Sequence, residues 1–112
     1  MAAAMATLME QAGMNWTDLR RLCVCGAFGR TLDVGHAQAV GLLPPIAPER
    51  VELFSDATLA GCERLLLGPT GAPGAREVMN PISAVNLTKV IGYDDRYIDH
   101  LRLKPMRPVL TV

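Results

Sequence analysis

The part of this sequence best suited to bind a ligand is a short apolar run followed by two closely spaced glycines. Leu22-Cys23-Val24-Cys25 has the composition of a short buried strand, and Gly26-Ala27-Phe28-Gly29 follows it directly. Glycines let the backbone turn sharply and approach a ligand without a Cβ in the way. Many α/β proteins use such a turn, leading towards a helix, to present N–H groups to a nucleotide. Short glycine turns are also common without any ligand.

Two aspartates near this run are candidates for polar contacts with a ligand. Asp56 lies in a Ser-Asp turn between a second short strand, 51–54, and a helix predicted over 57–67 with small residues at Ala57, Ala60 and Gly61. Asp33 precedes a helix predicted to run to about Val40. A carboxylate at a helix N-terminus is also favoured by capping and by the helix dipole, without any ligand. Both interpretations stay open for each aspartate.

The three cysteines do not have the spacing of a metal site. Cys23 and Cys25 are two residues apart on a predicted strand, so both thiols point to one face, and Cys62 is alone on a helix. We expect all three to be small buried apolar residues in a reducing compartment. His36 and His100 are expected to be solvated side chains or helix caps, not ligands.

The segment Gly68–Gly74 has glycines three residues apart, as some phosphate-binding loops do. Two prolines remove N–H donors from it, and no Lys-Ser or Lys-Thr follows as in a P-loop. We expect a mobile surface loop here.

Composition limits the function classes. The chain has 112 residues, of which 50% are hydrophobic, and its formal net charge is zero. This fits one small globular domain and excludes neither enzyme nor binding module. Zero net charge argues against a nucleic-acid-binding protein or one held electrostatically on anionic lipid. The N-terminus lacks the basic region of a signal peptide, so we expect a cytoplasmic protein without membrane contact.

The remaining elements follow from periodicity and from helix-breaking residues. We expect a first helix near 2–12, a half-exposed strand within 83–90 and a last helix over 95–101 with Tyr97, Ile98 and Leu101 inward. Residues 105–112 are expected to be a tail. The order is α-β-α-β-α followed by a β-α extension, which predicts an α/β domain of three layers.

The order of these motifs and their residue types resemble those of one family. The matching residues are Gly26-Ala27-Phe28-Gly29, Leu32-Asp33, Ala37, Ala39, Gly41-Leu42-Leu43-Pro44, Val51-Glu52 and Leu59-Ala60-Gly61. The family is the C-terminal domain of the reductive activators of corrinoid proteins, in the superfamily of acetate and sugar kinases, heat-shock ATPases and actin. The resemblance implies a ribonuclease H-like, actin-like ATPase domain, of which residues 1–104 would be the C-terminal part.

The resemblance also implies a function and its cofactors. The intact protein would use ATP with Mg²⁺ to drive reduction of Co(II) to Co(I) in a corrinoid protein of a methyltransferase system. Its partners would be that corrinoid protein and an electron donor, and an iron–sulfur cluster would lie in a separate N-terminal domain, with none in this chain. Gly26, Ala27, Phe28 and Gly29 would contact the nucleotide, and Gly61 would let its helix pack near the same cleft.

The isolated chain is expected to be inactive, because the phosphate-binding half of the fold lies outside it. Missing neighbouring strands would leave an open sheet edge, so we expect the isolated chain to form a homodimer. Two other functions stay open. One is a non-enzymatic protein-interaction domain on the same scaffold, and the other is a fragment of a sugar or acid kinase.

Overall fold

Helices and strands alternate along the first part of the chain. The computed structural model describes residues 1–69 and 71–108, with only the backbone of Phe28, Gly29 and residues 71–73. The elements are α1 (Ala2–Gln11), β1 (Leu22–Cys25), α2 (Val34–Ala39), β2 (Val51–Phe54), α3 (Ala57–Leu67), α4 (Gly71–Met79) and α5 (Tyr93–His100). Short 3-10 turns lie at Trp16–Asp18, Ala27–Arg30, Pro48–Arg50 and Leu87–Lys89. The mixed α/β class predicted from the sequence is confirmed.

The two strands form a small parallel sheet. Leu22 lies opposite Val51, and Cys25 lies opposite Phe54. Parallel neighbours need a crossover connection, and α2 lies within it. The parallel register places the carboxyl ends of both strands at one edge of the sheet, so the segments that follow Cys25 and Phe54 begin side by side.

The hydrophobic core lies towards the amino ends of the strands. Trp16, Ile46 and Met106 form its buried centre. The partly buried residues packed against it come mainly from α1 and from the first positions of the strands: Ala2, Met5, Ala6, Met9, Leu19, Leu22 and Val51. The indole Nε1 of Trp16 donates a hydrogen bond of 3.0 Å to the carbonyl of Arg107, so the buried ring also has its polar atom satisfied.

The C-terminal segment, defined here as residues 104–108, packs on the body of the protein although the sequence led us to expect a tail from residue 105. Met106 is 5% exposed. The backbone of Lys104 lies so close to Gly41 that a Cβ at position 41 would stand 2.1 Å from the Lys104 carbonyl oxygen. The buried side chain of Met106 holds the segment against the core. In the sequence, this one apolar residue stands among prolines and basic residues, which are typical of a tail. Residues 109–112 of the expected tail lie outside the described residues.

Helix α5 faces the body with its polar side. The prediction that Tyr97, Ile98 and Leu101 point inward is wrong, because these side chains are 53%, 63% and 61% exposed. Arg96 is turned towards α1 instead. Its guanidinium donates to the hydroxyl of the fully buried Thr7 at 3.1 Å and forms an ion pair with Glu10. These polar contacts join α5 to α1 and set which side of α5 is exposed.

The strand expected within 83–90 is absent from the described structure, and this prediction is wrong. Asn86 accepts hydrogen bonds from the backbone N–H of Thr88 at 3.2 Å and from its hydroxyl at 2.6 Å. Such local side-chain bonds favour a turn over an extended strand. The segment therefore forms a 3-10 turn over Leu87–Lys89.

The loop expected over Gly68–Gly74 is also wrong for its second half, because α4 begins at Gly71 and packs against α3. The position of Pro73 falls in the first turn of α4, where a backbone N–H has no partner within the helix and proline is tolerated. Thr70 lies outside the described residues.

In the described part of the chain, no helix has the length and apolar content needed to cross a bilayer.

The expected burial of the cysteines is wrong, although the prediction that Cys23 and Cys25 share one face is confirmed. Exposure alternates along β1, with Leu22 and Val24 partly buried and both cysteines exposed. Cys62 on α3 is exposed as well. Among the described residues, no layer covers the face of the sheet on which Cys23 and Cys25 lie.

Candidate functional site

The carboxyl edge of the sheet brings together two of the segments selected from the sequence. Gly26 follows Cys25, Ser55 follows Phe54, and Cys25 and Phe54 are register partners. The turn Ala27–Arg30 contacts both β1 and β2. In open α/β sheets, ligands bind outside the carboxyl ends of the strands. This edge, formed by Gly26–Arg30 and Ser55–Asp56, is called the strand edge below.

Gly26 has the backbone conformation that the sequence suggested. Its φ is +95°, a region that residues with a Cβ rarely adopt. A Cβ built at this position would meet nothing within 4 Å. Glycine is therefore required here by the turn itself, and the space beside it is open. Ala27 is exposed next to it. Phe28 and Gly29 belong to the same turn by their backbone, and the Phe28 side chain lies outside what the structure describes.

Asp56 lies at the strand edge with an exposed carboxylate. It is the N-cap residue of α3 by position, but its side chain makes no capping hydrogen bond. Its Oδ1 instead accepts a hydrogen bond of 3.3 Å from the Ser55 hydroxyl. The capping interpretation of this carboxylate is thus wrong, and Asp56 has free acceptor capacity beside the glycine turn.

Asp33 is explained by helix capping. Its Oδ1 accepts a hydrogen bond of 2.8 Å from the backbone N–H of His36 at the start of α2. Its Oδ2 lies 3.6 Å from His36 Nδ1, and both side chains are largely exposed. The alternative interpretation of Asp33 as a cap is therefore confirmed, while its role towards a ligand stays a prediction.

Gly61 is not placed against the glycine turn by any described contact. It lies five residues beyond Asp56, about 7.5 Å further along the axis of α3. It is exposed, and a Cβ built there would meet nothing within 4 Å. The structure therefore leaves room for a neighbour at Gly61 without supplying one from the described residues.

The described residues do not form a cluster of metal ligands at the strand edge. Among residues 1–69 and 71–108, no three or more His, Cys, Asp or Glu side chains gather in a way that could hold a metal ion. Arg21 and Glu52 form an ion pair of 2.6 Å. Both residues precede the segments that form the strand edge, so this ion pair is not part of it. The hydrogen bond to Glu52 raises the pKa of Arg21.

A second concave surface was not foreseen from the sequence. It lies between α1, α5 and the C-terminal segment, and its ionisable residues are Glu10, Arg96, Asp99, His100, Lys104 and Arg107. The signal that could have found it is the run of basic residues after Asp99, namely Arg102, Lys104 and Arg107, with no acidic residue among or after them.

Comparison with known proteins identifies the class. Residues 1–110 match the family described as the C-terminal domain of RACo, the ASKHA domain. The chain belongs to this family, which confirms the resemblance stated above. It is also 27% identical, over 99 residues, to the corrinoid activation enzyme RamQ of Eubacterium limosum. The aligned part is 88% of this chain and 16% of the length of that relative. The chain thus corresponds to the C-terminal domain that the family model describes, and it spans about a sixth of the length of this relative.

Proposed function

We propose that this chain is the nucleotide-binding C-terminal part of an ATP-dependent activator that reduces the cobalt of a corrinoid protein. The observation that carries the proposal is the strand edge, where a glycine turn with positive φ and an exposed carboxylate meet at the ends of two parallel strands. The family assignment and the name of the relative support the corrinoid part of the proposal.

The finer fold assignment belongs to the same proposal. Residues 1–104, with the packed segment behind them, would be the closing part of a three-layer, ribonuclease H-like domain of the actin type. No residue of α3 is buried, and the sheet has two strands in the described part of the chain. Further strands and helices from the rest of a longer protein would complete these layers.

Two observations support ATP at the strand edge. The space beside Gly26 is open, and the first turn of α3 has backbone N–H groups that no capping side chain at Asp56 satisfies. When bound, ATP supplies binding free energy that favours one state of the complex over another. Mg²⁺ does not fit a site made by this chain alone, so we assign it to the part of the nucleotide site beyond these residues.

The role of this chain in the reduction is to bind and orient the nucleotide. Gly26–Gly29 would lie against the adenosine and Asp56 would accept a hydrogen bond at the same edge. The electron that reduces Co(II) to Co(I) would come from an external donor, and an iron–sulfur cluster held by a separate N-terminal domain would supply the electron-transfer chemistry. A nucleotide can assist this step only through its different affinity for the complexes before and after reduction.

An NMR titration of the 112-residue chain with ATP and ADP tests the nucleotide site. We expect saturable amide shifts at millimolar nucleotide, clustered at residues 26–29 and 55–61, and no ATP hydrolysis. Gly26→Ala should weaken this binding about tenfold or more, because the turn would have to leave its positive φ. Gly92→Ala is the matched control, since Gly92 also has positive φ and open space but lies at the start of α5.

If the isolated chain binds ATP too weakly to measure, Gly26→Ala and Gly92→Ala are compared in a full-length activator. ATP binding that is equally strong with Gly26→Ala and with Gly92→Ala would show that the strand edge does not hold the nucleotide.

A protein-interaction domain is the second candidate, because α3 and α4 expose large apolar side chains. Leu66, Leu67, Val78 and Met79 are 82%, 85%, 68% and 66% exposed. Such a surface is typical of an interface. Amide shifts caused by a corrinoid protein and none caused by nucleotide would favour this candidate. Because the chain belongs to the corrinoid activator family, we do not retain the sugar or acid kinase.

We further propose that the isolated chain forms a homodimer through its sheet. In the described part of the chain each strand pairs with one neighbour, so each has an open edge that another strand can join. Light scattering at increasing protein concentration should show twice the mass of the chain, 24.2 kDa against 12.1 kDa. A mass that stays at 12.1 kDa at millimolar concentration would rule this dimer out.

A further inference from the structure

A charged cleft lies at the opposite end of the sheet from the strand edge. The core formed by Trp16, Ile46 and Met106 lies at the amino ends of the strands, since Leu22 and Val51 pack against it. The C-terminal segment continues from Met106 to the wall of the cleft. The cleft has a volume of about 290 Å³ between α1, α5 and this segment. It is therefore separate from the glycine turn after Cys25.

Two of the three cations of the cleft, Arg96 and Lys104, are held in place by neighbouring groups. Arg96 is fixed by the Thr7 hydroxyl and by Glu10. The Lys104 ammonium lies 2.8 Å from Asp99, and the two side chains are 32% and 44% exposed. A cation held in this way loses less conformational entropy when a ligand binds.

The backbone of the C-terminal segment is fixed as well. Lys104 lies against Gly41, and the Arg107 carbonyl accepts the hydrogen bond from the Trp16 indole. On the opposite wall, the Nδ1 atom of His100 lies 2.7 Å from the Arg96 carbonyl oxygen, which fixes the ring. The walls of the cleft are thus formed before any ligand arrives.

The charges that line the cleft do not cancel. Arg96, Lys104 and Arg107 face two carboxylates, Glu10 and Asp99. Within the described residues, the Arg107 guanidinium has no ion-pair partner, because the two carboxylates are paired with Arg96 and Lys104. The pKa of Asp99 is held below its usual range by the hydrogen bond from Lys104 and by the nearby charges of Arg107 and Arg102. This local positive excess stands out in a chain whose net charge is zero.

We propose that the cleft binds a small oxyanion, a phosphate or carboxylate group carried by a low-molecular-weight ligand. Arg107 would provide the principal contact, because a guanidinium matches both groups with two parallel N–H donors. Arg96 would add positive charge from the opposite wall, and Lys104 would add it from the same segment as Arg107. The volume of the cleft accommodates an oxyanion with a short organic group attached.

Titration of the 112-residue chain with inorganic phosphate and with succinate tests this proposal, with chloride at matched ionic strength as the reference. We expect saturable amide shifts at residues 96–107 with at least one of the two oxyanions, and none with chloride. The oxyanion with the lower Kd shows whether the cleft prefers a phosphate or a carboxylate group. Arg107→Ala should weaken binding at least tenfold, and Arg107→Lys should retain part of it.

Arg76→Ala is the control, since Arg76 is exposed on α4 and does not line the cleft. Oxyanion shifts no larger than those of chloride would overturn the proposal, as would equal affinity for the wild-type chain and Arg107→Ala with unchanged amide dispersion. The test is independent of the nucleotide site, because Gly26→Ala should bind phosphate as the wild-type chain does.

Discussion

Gly41→Ala is expected to lower the free energy of unfolding by on the order of 3 kcal/mol. Gly41 has φ of +79°, and a Cβ would stand 2.1 Å from the Lys104 carbonyl oxygen, so either position 41 or the C-terminal segment must move. The residue also ends α2. Its N–H bonds to the Gln38 carbonyl at 3.2 Å and the N–H of Leu42 bonds to the Ala37 carbonyl at 2.8 Å, the pattern of a Schellman motif.

Gly13→Ala separates the two contributions to this loss of stability, the positive φ and the clash with the Lys104 carbonyl. Gly13 follows α1 with φ of +66°, but a Cβ there would meet nothing within 4 Å. The substitution should cost only the backbone strain, about 1 kcal/mol. Urea unfolding followed by circular dichroism measures both variants. Equal losses for the two would show that the C-terminal segment does not lie against Gly41 as described.

Trp16→Ala is expected to destabilise the protein by about 4 kcal/mol, because it removes the largest side chain of the core. Trp16 is 4% exposed and packs with Ile46 and Met106. The chain has one tryptophan, so unfolding of this variant must be followed by circular dichroism. Where the variant does not fold at all, the conservative change below still tests the role of the indole.

Trp16→Phe keeps an aromatic ring but leaves the Arg107 carbonyl without its donor, which costs about 1 kcal/mol for the hydrogen bond. NMR relaxation should show that the backbone amides of Lys104, Met106 and Arg107 become more mobile, while those of β1 do not. Leu19, which is also packed against the core, provides the matched change Leu19→Ala. Backbone mobility at these three amides that is no greater in Trp16→Phe than in Leu19→Ala would contradict a specific role of the indole hydrogen bond.

Sequence reasoning located the elements whose signals are local. The strands at 22–25 and 51–54 and the helix at 57–67 have the predicted bounds, because each is an apolar run or a periodic segment next to a turn. The exposure of the cysteines could not be predicted from such local signals. Cys23 and Cys25 are exposed since the layer that would cover their face is not among the described residues.

The candidate sites show the same limit. Gly26 could be found because a glycine turn after a strand is a local pattern. For the cleft, the basic run after Asp99 is a local signal of the charges, but not of the walls, since Arg96 reaches Thr7 and Glu10 across 89 and 86 residues of sequence. For the same reason the sequence predicts an inward face with Tyr97, Ile98 and Leu101. The orientation of α5 is set instead by the ion pair and the hydrogen bond that Arg96 makes with α1.

The insertion of Met106 beside Trp16 has a consequence for how the protein folds. The Trp16 indole reaches the Arg107 carbonyl across 91 residues, so the core is closed by a contact between distant parts of the sequence. Loop closure over such distances slows folding. During synthesis, the indole lacks Met106 and the Arg107 carbonyl until these residues have left the ribosome. The sheet can pair earlier, but the domain becomes stable only when this late segment arrives.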